Sequence, residues 1–322
     1  GYMNVGEAPG ITPERNEFIT NPAHKELDML FLFDHVSIDQ SPESKWDTHA
    51  FVPKKLQDRM SRQQEAVRNA GWASLFFCNH DQPRVVSRWG NDSDRESREL
   101  SAKAFGMLLH MHRGTPYIYE GEELGMTNAH FTSLDQYRDL EAINAYRQRV
   151  EEARCQSSES MMAALALIGR DNSRTPMQWD ASRYAGFTPA DAATEPWIGV
   201  NPNHVEINAA EEFDDPDSVY GFYKKLIAMR HNSATIATGA WNLLAADDEQ
   251  VYAFTRTNGD DTILVVVNLT DRSAGLPGEV AELLGDGVAE SQILLSTYDV
   301  AHGVKSIARG ELARWEGVVI QL

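Results

Sequence analysis

Short apolar runs alternate with longer amphipathic stretches over the first two-thirds of the chain. Four of the runs predict β-strands, at Tyr2–Val5, Met29–Phe33, Ser74–Cys78 and Pro116–Tyr119. Apolar residues between them recur at helical spacing, most clearly over Lys54–Asn69 and Arg95–His112. This alternation is typical of β/α units around a parallel sheet. We count four units, whereas a closed barrel of this type needs eight.

A different pattern follows after about Thr238. A last long helix is predicted after Ser218, a residue type that favours a helix start. Beyond it, short strands alternate with polar turns, and Asn258-Gly259 is a strong hairpin signal. The predicted strands are Trp241–Ala246, Gln250–Arg256, Thr262–Asn268, Gln292–Ser296 and Val318–Leu322. The fold class is therefore α/β: the C-terminal half of a TIM (β/α)8 barrel over residues 1–237, then a small antiparallel β-sandwich domain over residues 238–322.

Charge narrows the classes of partner. The chain has 29 Lys and Arg residues against 48 Asp and Glu residues, for a net charge of −19. Nucleic acids and anionic membranes require basic patches, so we expect neither as a partner. The sequence shows neither a membrane-spanning segment nor a signal peptide, and we expect a cytoplasmic location. The two cysteines, Cys78 and Cys155, give no disulfide framework and no metal-ligand cluster, so we expect free thiols.

Polar groups follow two of the predicted strands. Asn79, His80 and Asp81 end one apolar run, and Glu7 comes just after the first. In a β/α barrel the carboxyl ends of the strands carry the active site. Two carboxylates there suit glycoside hydrolysis, in which one group protonates the leaving oxygen and anions face an oxocarbenium-like transition state. On spacing alone, a surface-turn Glu and a satisfied His-Asp pair remain open alternatives.

Longer segments carry a specific resemblance. Residues 4–10 (NVGEAPG), 79–90 (NHDQPRVVSRWG), 114–128 (GTPYIYEGEELGMTN) and 170–180 (RDNSRTPMQWD) resemble segments of the alpha-amylase family. The last one is similar to a signature of its oligo-1,6-glucosidase and α-glucosidase branch. The resemblance extends over nearly the whole chain and implies that the tail is the family's C-terminal β domain.

The resemblance implies a role for each matching residue. Glu7 matches the general acid that later acts as the base, and Asp81 matches the carboxylate that stabilises the transition state. His80 is expected to donate to a hydroxyl of the cleaved glucose. Arg170 matches an arginine that grips the terminal glucose, and a guanidinium fork suits paired oxygens.

Two further positions match residues that line the substrate pocket, Phe33 and Glu141. For Phe33, plain core packing is an equal alternative. We expect Arg174 to fix its loop rather than to touch sugar. No residue of the chain is expected to bind a metal or another cofactor.

The same resemblance implies a missing part. The family's nucleophilic Asp lies upstream of the segment that matches Glu7, and so does a loop domain that often holds calcium. We therefore expect this chain to be a fragment that is inactive alone, with the N-terminal half of the same enzyme as a partner.

The expected function is that of a retaining α-glucosidase acting on terminal α-glucosidic bonds of short gluco-oligosaccharides, α-1,6 bonds above all. Two alternatives stay open: a sucrose isomerase-type transglucosidase, and a non-catalytic homologue that serves as a binding domain. The retention of both Glu7 and Asp81 speaks against the second.

Overall fold

The computed structural model describes residues 2–24, 26–285 and 287–322. A four-stranded parallel sheet comes first, with strands β1 (Val5–Glu7), β2 (Met29–Phe31), β3 (Ala73–Leu75) and β4 (Thr115–Pro116). The helices of this part are α1 (Pro13–Thr20), α2 (Pro53–Ala66), α3 (Val85–Arg88), α4 (Arg95–Met111), α5 (Leu140–Tyr146), α6 (Ser158–Ile168), α7 (Ala209–Glu212), α8 (Val219–Asn232) and α9 (Ala234–Thr238). These elements contain the four predicted β/α units.

The parallel sheet has the strand order β1-β2-β3-β4. Neighbouring strands are in parallel register, with Val5 opposite Met29 in the first pair. Because all four strands run the same way, their carboxyl ends meet at one edge, and the residues that follow each strand are brought together there. This arrangement confirms the predicted half barrel.

The first strand differs from its prediction. The apolar residues at 2–5 predicted a buried strand, but Tyr2 is 97% exposed and Met3 is 67% exposed. The strand instead covers Val5–Glu7 and pairs only with β2 in the described part of the chain, so it forms an edge of the sheet. Glu7 is consequently the last residue of β1 rather than a residue just beyond it.

Helix α4 is buried on more than one side. Its start is capped by Asp94, whose side chain accepts a hydrogen bond from the Ser97 N–H at 2.9 Å. The predicted apolar stripe is buried, and Phe105 and Leu109, outside that stripe, are buried too. The helix packs against α8 and against strands of the C-terminal domain, which explains the additional burial. Within the described ranges, no helix is long and apolar enough to cross a membrane.

The C-terminal part is antiparallel, as predicted. Its five-stranded sheet has the order β5-β6-β7-β11-β9, and β8 and β10 pair as a separate ribbon. The elements are β5 (Ala240–Leu244), β6 (Val251–Asn258), β7 (Asp261–Asn268), β8 (Ala274–Gly275), α10 (Gly278–Leu284), β9 (Ile293–Ser296), α11 (Val300–Arg309), β10 (Glu311–Leu312) and β11 (Gly317–Gln321). The predicted hairpin joins β6 to β7, and Gly259 takes the positive φ of 63° that its turn requires.

Both faces of the five-stranded sheet are buried. Alternate residues such as Phe254, Val265 and Val319 join the core that includes α4. Their neighbours, such as Val266 and Val318, join a second core with α11 and the ribbon. The sheet therefore holds the β/α part on one face and its own helices on the other.

Candidate active site

A cavity of about 220 Å³ lies at the carboxyl ends of the four parallel strands. Three of the predicted site residues, Glu7, Phe33 and His80, line this cavity. The full lining is Glu7, Phe31, Phe33, Phe76, Cys78, Asn79, His80, Tyr117, Ile118 and Tyr119. A larger cavity of about 880 Å³ lies near the opposite ends of the strands. The active sites of β/α barrels lie at the carboxyl ends, so the smaller cavity is the candidate.

Aromatic rings form much of the cavity wall. Phe33 contacts Phe76 edge-on, with ring centroids 5.5 Å apart. Behind them, the buried His35 places Nε2 2.9 Å from the Phe76 carbonyl oxygen. Burial lowers the pKa of His35 to about 4, so the ring is neutral and Nε2 carries the donated proton. Phe33 is half-buried and lines the cavity, and its part in substrate binding stays a prediction.

Asp81 is held from several sides. Its backbone N–H donates to Asn79 Oδ1 at 2.7 Å, which fixes the turn after β3. Its Oδ1 accepts a hydrogen bond from Arg174 Nη2 at 2.6 Å and lies 3.4 Å from Arg170 Nη1. His80 Nε2 is 3.6 Å from the other carboxylate oxygen. About a third of the Asp81 side chain is exposed, so a ligand can reach it.

Arg170 is surrounded by carboxylates. It bonds both oxygens of Asp139, with Nε at 3.1 Å and Nη2 at 2.8 Å, and its Nε lies 3.2 Å from Glu141 Oε2. Glu141 also accepts from Lys45 at 2.7 Å and does not line the cavity. Burial is the largest effect and acts to raise the pKa of Asp139, but the hydrogen bonds from Arg170 and the Glu141 N–H, together with the charges of Arg170 and Arg174, leave that pKa below its usual value. The bond to Asp139 raises the pKa of Arg170 in turn.

A buried ion pair between Arg88 and Asp39 is bonded to the loop that carries Asp81. Arg88 donates to Asp39 through Nε and Nη2, both at 2.7 Å, and to Gln82 Oε1 at 2.9 Å. The two charged side chains are 2% and 1% exposed. Trp89 Nε1 also donates to Asp39 at 2.9 Å. The loop after β2 is thereby tied to α3 and to the residue that follows Asp81.

The comparisons with known proteins agree with this geometry. Residues 1–239 match the alpha amylase catalytic domain, and residues 241–290 match the maltogenic amylase C-terminal domain. The chain belongs to the alpha-amylase family. The resemblance predicted from the sequence segments is thereby confirmed.

Oligo-1,6-glucosidases are among the most similar curated relatives of this alpha-amylase family chain. The one from Parageobacillus thermoglucosidasius is 42% identical over 99% of the chain, and the one from Bacillus cereus is 41% identical over 99%. Each match covers 55% of the relative, so the chain spans about half the length of the curated relatives it matches.

Solved structures give the same picture. Trehalose-6-phosphate hydrolase from Bacillus licheniformis superposes with a TM-score of 0.85 at 37% identity, over 99% of this chain and 56% of that one. Isomaltulose synthase from Klebsiella sp. LX3 superposes with a TM-score of 0.86 at 33% identity, over 99% and 55%. The fold therefore does not separate these activities from one another.

Two contacts of the site were not predicted from the sequence, the ion pair of Asp139 with Arg170 and that of Arg174 with Asp81. Asp139 caps helix α5 by accepting from the Glu141 N–H at 3.2 Å, and a cap is the local role its sequence position suggests. Its bonds to Arg170 join residues 31 positions apart, for which the sequence has no local signal. Arg174 was expected to fix its loop, and it does so by bonding Asp81 directly.

No group of three or more His, Cys, Asp or Glu side chains that could hold a metal occurs in the residues described. Cys78 is buried and Cys155 is exposed, and both are free thiols. Burial raises the pKa of the Cys78 thiol, which keeps it protonated although it borders the cavity.

Proposed function

We propose that this chain forms the acid/base side of the active site of a retaining α-glucosidase, which releases glucose from terminal α-glucosidic bonds of short gluco-oligosaccharides. Bonds of the α-1,6 type are the proposed preference. The nucleophile is supplied by the remainder of the protein, on a barrel strand that pairs with those described here. The reaction itself needs two carboxylates and a water and no cofactor.

Each residue has one task in this proposal. Glu7 protonates the leaving oxygen and then takes a proton from the attacking water. Asp81, with one oxygen facing His80, stabilises the charge that develops at the sugar ring. Arg170 binds hydroxyls of the terminal glucose through the N–H groups that its carboxylate partners leave free.

The observation that carries the proposal is the one cavity at the strand ends that Glu7 and His80 share, beside a carboxylate held by two arginines. The proposed preference for α-1,6 bonds is supported by the names of two similar relatives, oligo-1,6-glucosidases at 41–42% identity.

The test is Glu7→Gln in the intact protein. We expect hydrolysis of isomaltose to fall by roughly 10²–10⁴-fold, the usual contribution of a general acid. An aryl α-glucoside with a good leaving group should lose much less, because its leaving oxygen needs no proton. The exposed Glu282 offers a matched control, and Glu282→Gln should leave both rates unchanged. Equal losses on both substrates would show that Glu7 is not the acid.

A second candidate activity has a specific observation behind it. A trehalulose synthase and an isomaltulose synthase superpose with TM-scores of 0.87 and 0.86. Sucrose and isomaltose, each incubated with the intact protein, therefore decide between the two activities. A glucosidase of the proposed preference releases glucose from isomaltose, whereas an isomerase converts sucrose into an isomeric disaccharide. Turnover of neither sugar would favour a non-catalytic binding role.

A further inference from the structure

Arg174 makes two contacts with the loop that carries Asp81. It directly follows the 3-10 helical segment Arg170–Ser173. Its Nη2 donates to Asp81 Oδ1 at 2.6 Å, and its Nε donates to the His80 carbonyl oxygen at 2.8 Å. A planar guanidinium can make these two bonds at once only when the side chain and the backbone of the loop keep a fixed relation.

The residue before Arg174 adds a third contact. Ser173 Oγ donates to the carbonyl oxygen of Gln82. Three consecutive residues of the loop, at 80–82, are thus bonded by two consecutive residues at 173–174. The backbone of Ser173 is itself held, because its carbonyl oxygen accepts from the Tyr119 hydroxyl at 3.0 Å. The segment after α6 therefore acts as a rigid support for the loop after β3.

The two carboxylate oxygens of Asp81 have different basic neighbours. Oδ1 lies 2.6 Å from Arg174 Nη2 and 3.4 Å from Arg170 Nη1, whereas among the residues described the only basic side chain within 4 Å of Oδ2 is that of His80, with Nε2 at 3.6 Å. An ionised carboxylate can accept about four hydrogen bonds, so Oδ2 keeps free acceptor capacity. We propose that Arg174 is a positioning residue, which anchors Asp81 through Oδ1 so that Oδ2 is presented to the sugar. The inference rests on the proposed function.

Arg170 cannot replace Arg174 in this task. Two hydrogen bonds tie Arg170 to Asp139, and its distance to Asp81 is long for a hydrogen bond. Arg174 Nη1 also lies 3.9 Å from both Asp139 and Asp171, so its charge offsets the repulsion among these carboxylates.

The experiment compares Arg174→Gln and Arg174→Lys in the intact protein. We expect Arg174→Gln to lower kcat by about 10²-fold with a much smaller change in KM, because a misplaced stabilising group acts mainly on the transition state. Arg174→Lys should recover part of kcat, since an ammonium can still reach Oδ1 but cannot also bond the His80 carbonyl. A purely structural role would lower only the yield or stability of the folded protein and would leave kcat of the folded molecules within about threefold of the parent.

Arg95→Gln is the matched control, because Arg95 is an exposed arginine that pairs with Glu99 on α4. The Arg95→Gln variant should be as active as the parent. Asp81→Asn separates this inference from the proposed function. If Arg174→Gln keeps kcat within about threefold of the parent while Asp81→Asn abolishes turnover, the positioning role is wrong and the proposed function stands. If Asp81→Asn leaves turnover intact, both are wrong. Should Arg174→Gln fail to fold, Arg174→Lys decides through the same kcat and KM measurements.

Discussion

Glu122 lies in a place where a carboxylate is poorly solvated. It begins the 3-10 turn Glu122–Leu124 after β4 and is 3% exposed. Its Oε1 accepts from the Tyr223 hydroxyl at 3.0 Å, and Oε2 has no hydrogen-bond partner in the part of the chain that the structure describes. Burial raises the pKa of this carboxyl from 4.5 to about 7. Folding therefore favours the protonated form.

The effect on stability follows from that shift. A pKa that is higher in the folded state means that the folded protein binds the proton more tightly, so stability is full below about pH 4.5 and falls as the pH rises to about 7. One pKa unit corresponds to 1.36 kcal/mol, so the loss reaches about 3 kcal/mol above pH 7 as an upper bound. Glu122→Gln keeps an acceptor for Tyr223 and removes the titration. We expect it to be more stable than the parent at pH 8 by up to about that amount and similar at pH 4.5.

The assay is urea unfolding of parent and Glu122→Gln between pH 4.5 and 8. Glu212 is also buried with its pKa raised to about 7, so Glu122→Gln/Glu212→Gln should gain more stability over the parent at pH 8 than the single variant gains. Glu282→Gln, at an exposed position, should follow the parent. If Glu122→Gln shows the same pH dependence as the parent, Glu122 is ionised in the folded state and the reasoning from burial is wrong.

Two further stability predictions concern the core. Asp39→Ala leaves Arg88 buried without its partner and should destabilise the protein by about 3–5 kcal/mol in urea unfolding. Glu14→Gln, which removes one partner of an exposed ion pair, should leave the stability nearly unchanged. Gly106→Ala would place a methyl group 2.7 Å from the Tyr223 ring, so it should lower the melting temperature and cost about 1–3 kcal/mol despite the better helix propensity of Ala. A neutral result for Asp39→Ala or a stabilised Gly106→Ala would contradict these contact assignments.

The sequence pattern predicted the positions of helices and strands more reliably than it predicted which of their residues are buried. Helix Arg95–Met111 begins at the predicted residue because Asp94 supplies a cap, a signal that is local. The first strand was predicted as buried from its apolar residues, yet burial depends on what covers an edge of the sheet, which no window of residues reports. Ile227 shows the same limit, since it continues the apolar stripe of α8 but is 36% exposed.

The candidate site divides in a similar way. Glu7, His80 and Asp81 follow strands, and the parallel topology alone brings strand ends together. The contacts of Asp81 with Arg170 and Arg174 join residues 89 and 93 positions apart, and they depend on how the segment after α6 folds back over the sheet. Such ion pairs leave no periodicity or spacing, so they emerge only from the structure. The assigned roles of these residues remain predictions.

Strands of the C-terminal sheet supply hydrogen-bond partners to the C-terminal end of helix α4. The last backbone carbonyl of that helix, at Met111, accepts from Arg256 of β6 at 2.6 Å, and His112 Nε2 lies 2.9 Å from the Tyr252 hydroxyl. Arg256 is fully buried, and burial lowers its pKa to about 9. A helix end whose polar groups are buried must find protein partners. The antiparallel strands provide Arg256 and Tyr252, and α8 provides Arg230, which donates to the His110 and His112 carbonyl oxygens at 2.6 and 2.9 Å. Since α4 packs in the same core as β3, whose carboxyl end leads to Asp81, we expect the small domain to stabilise the candidate site through this core.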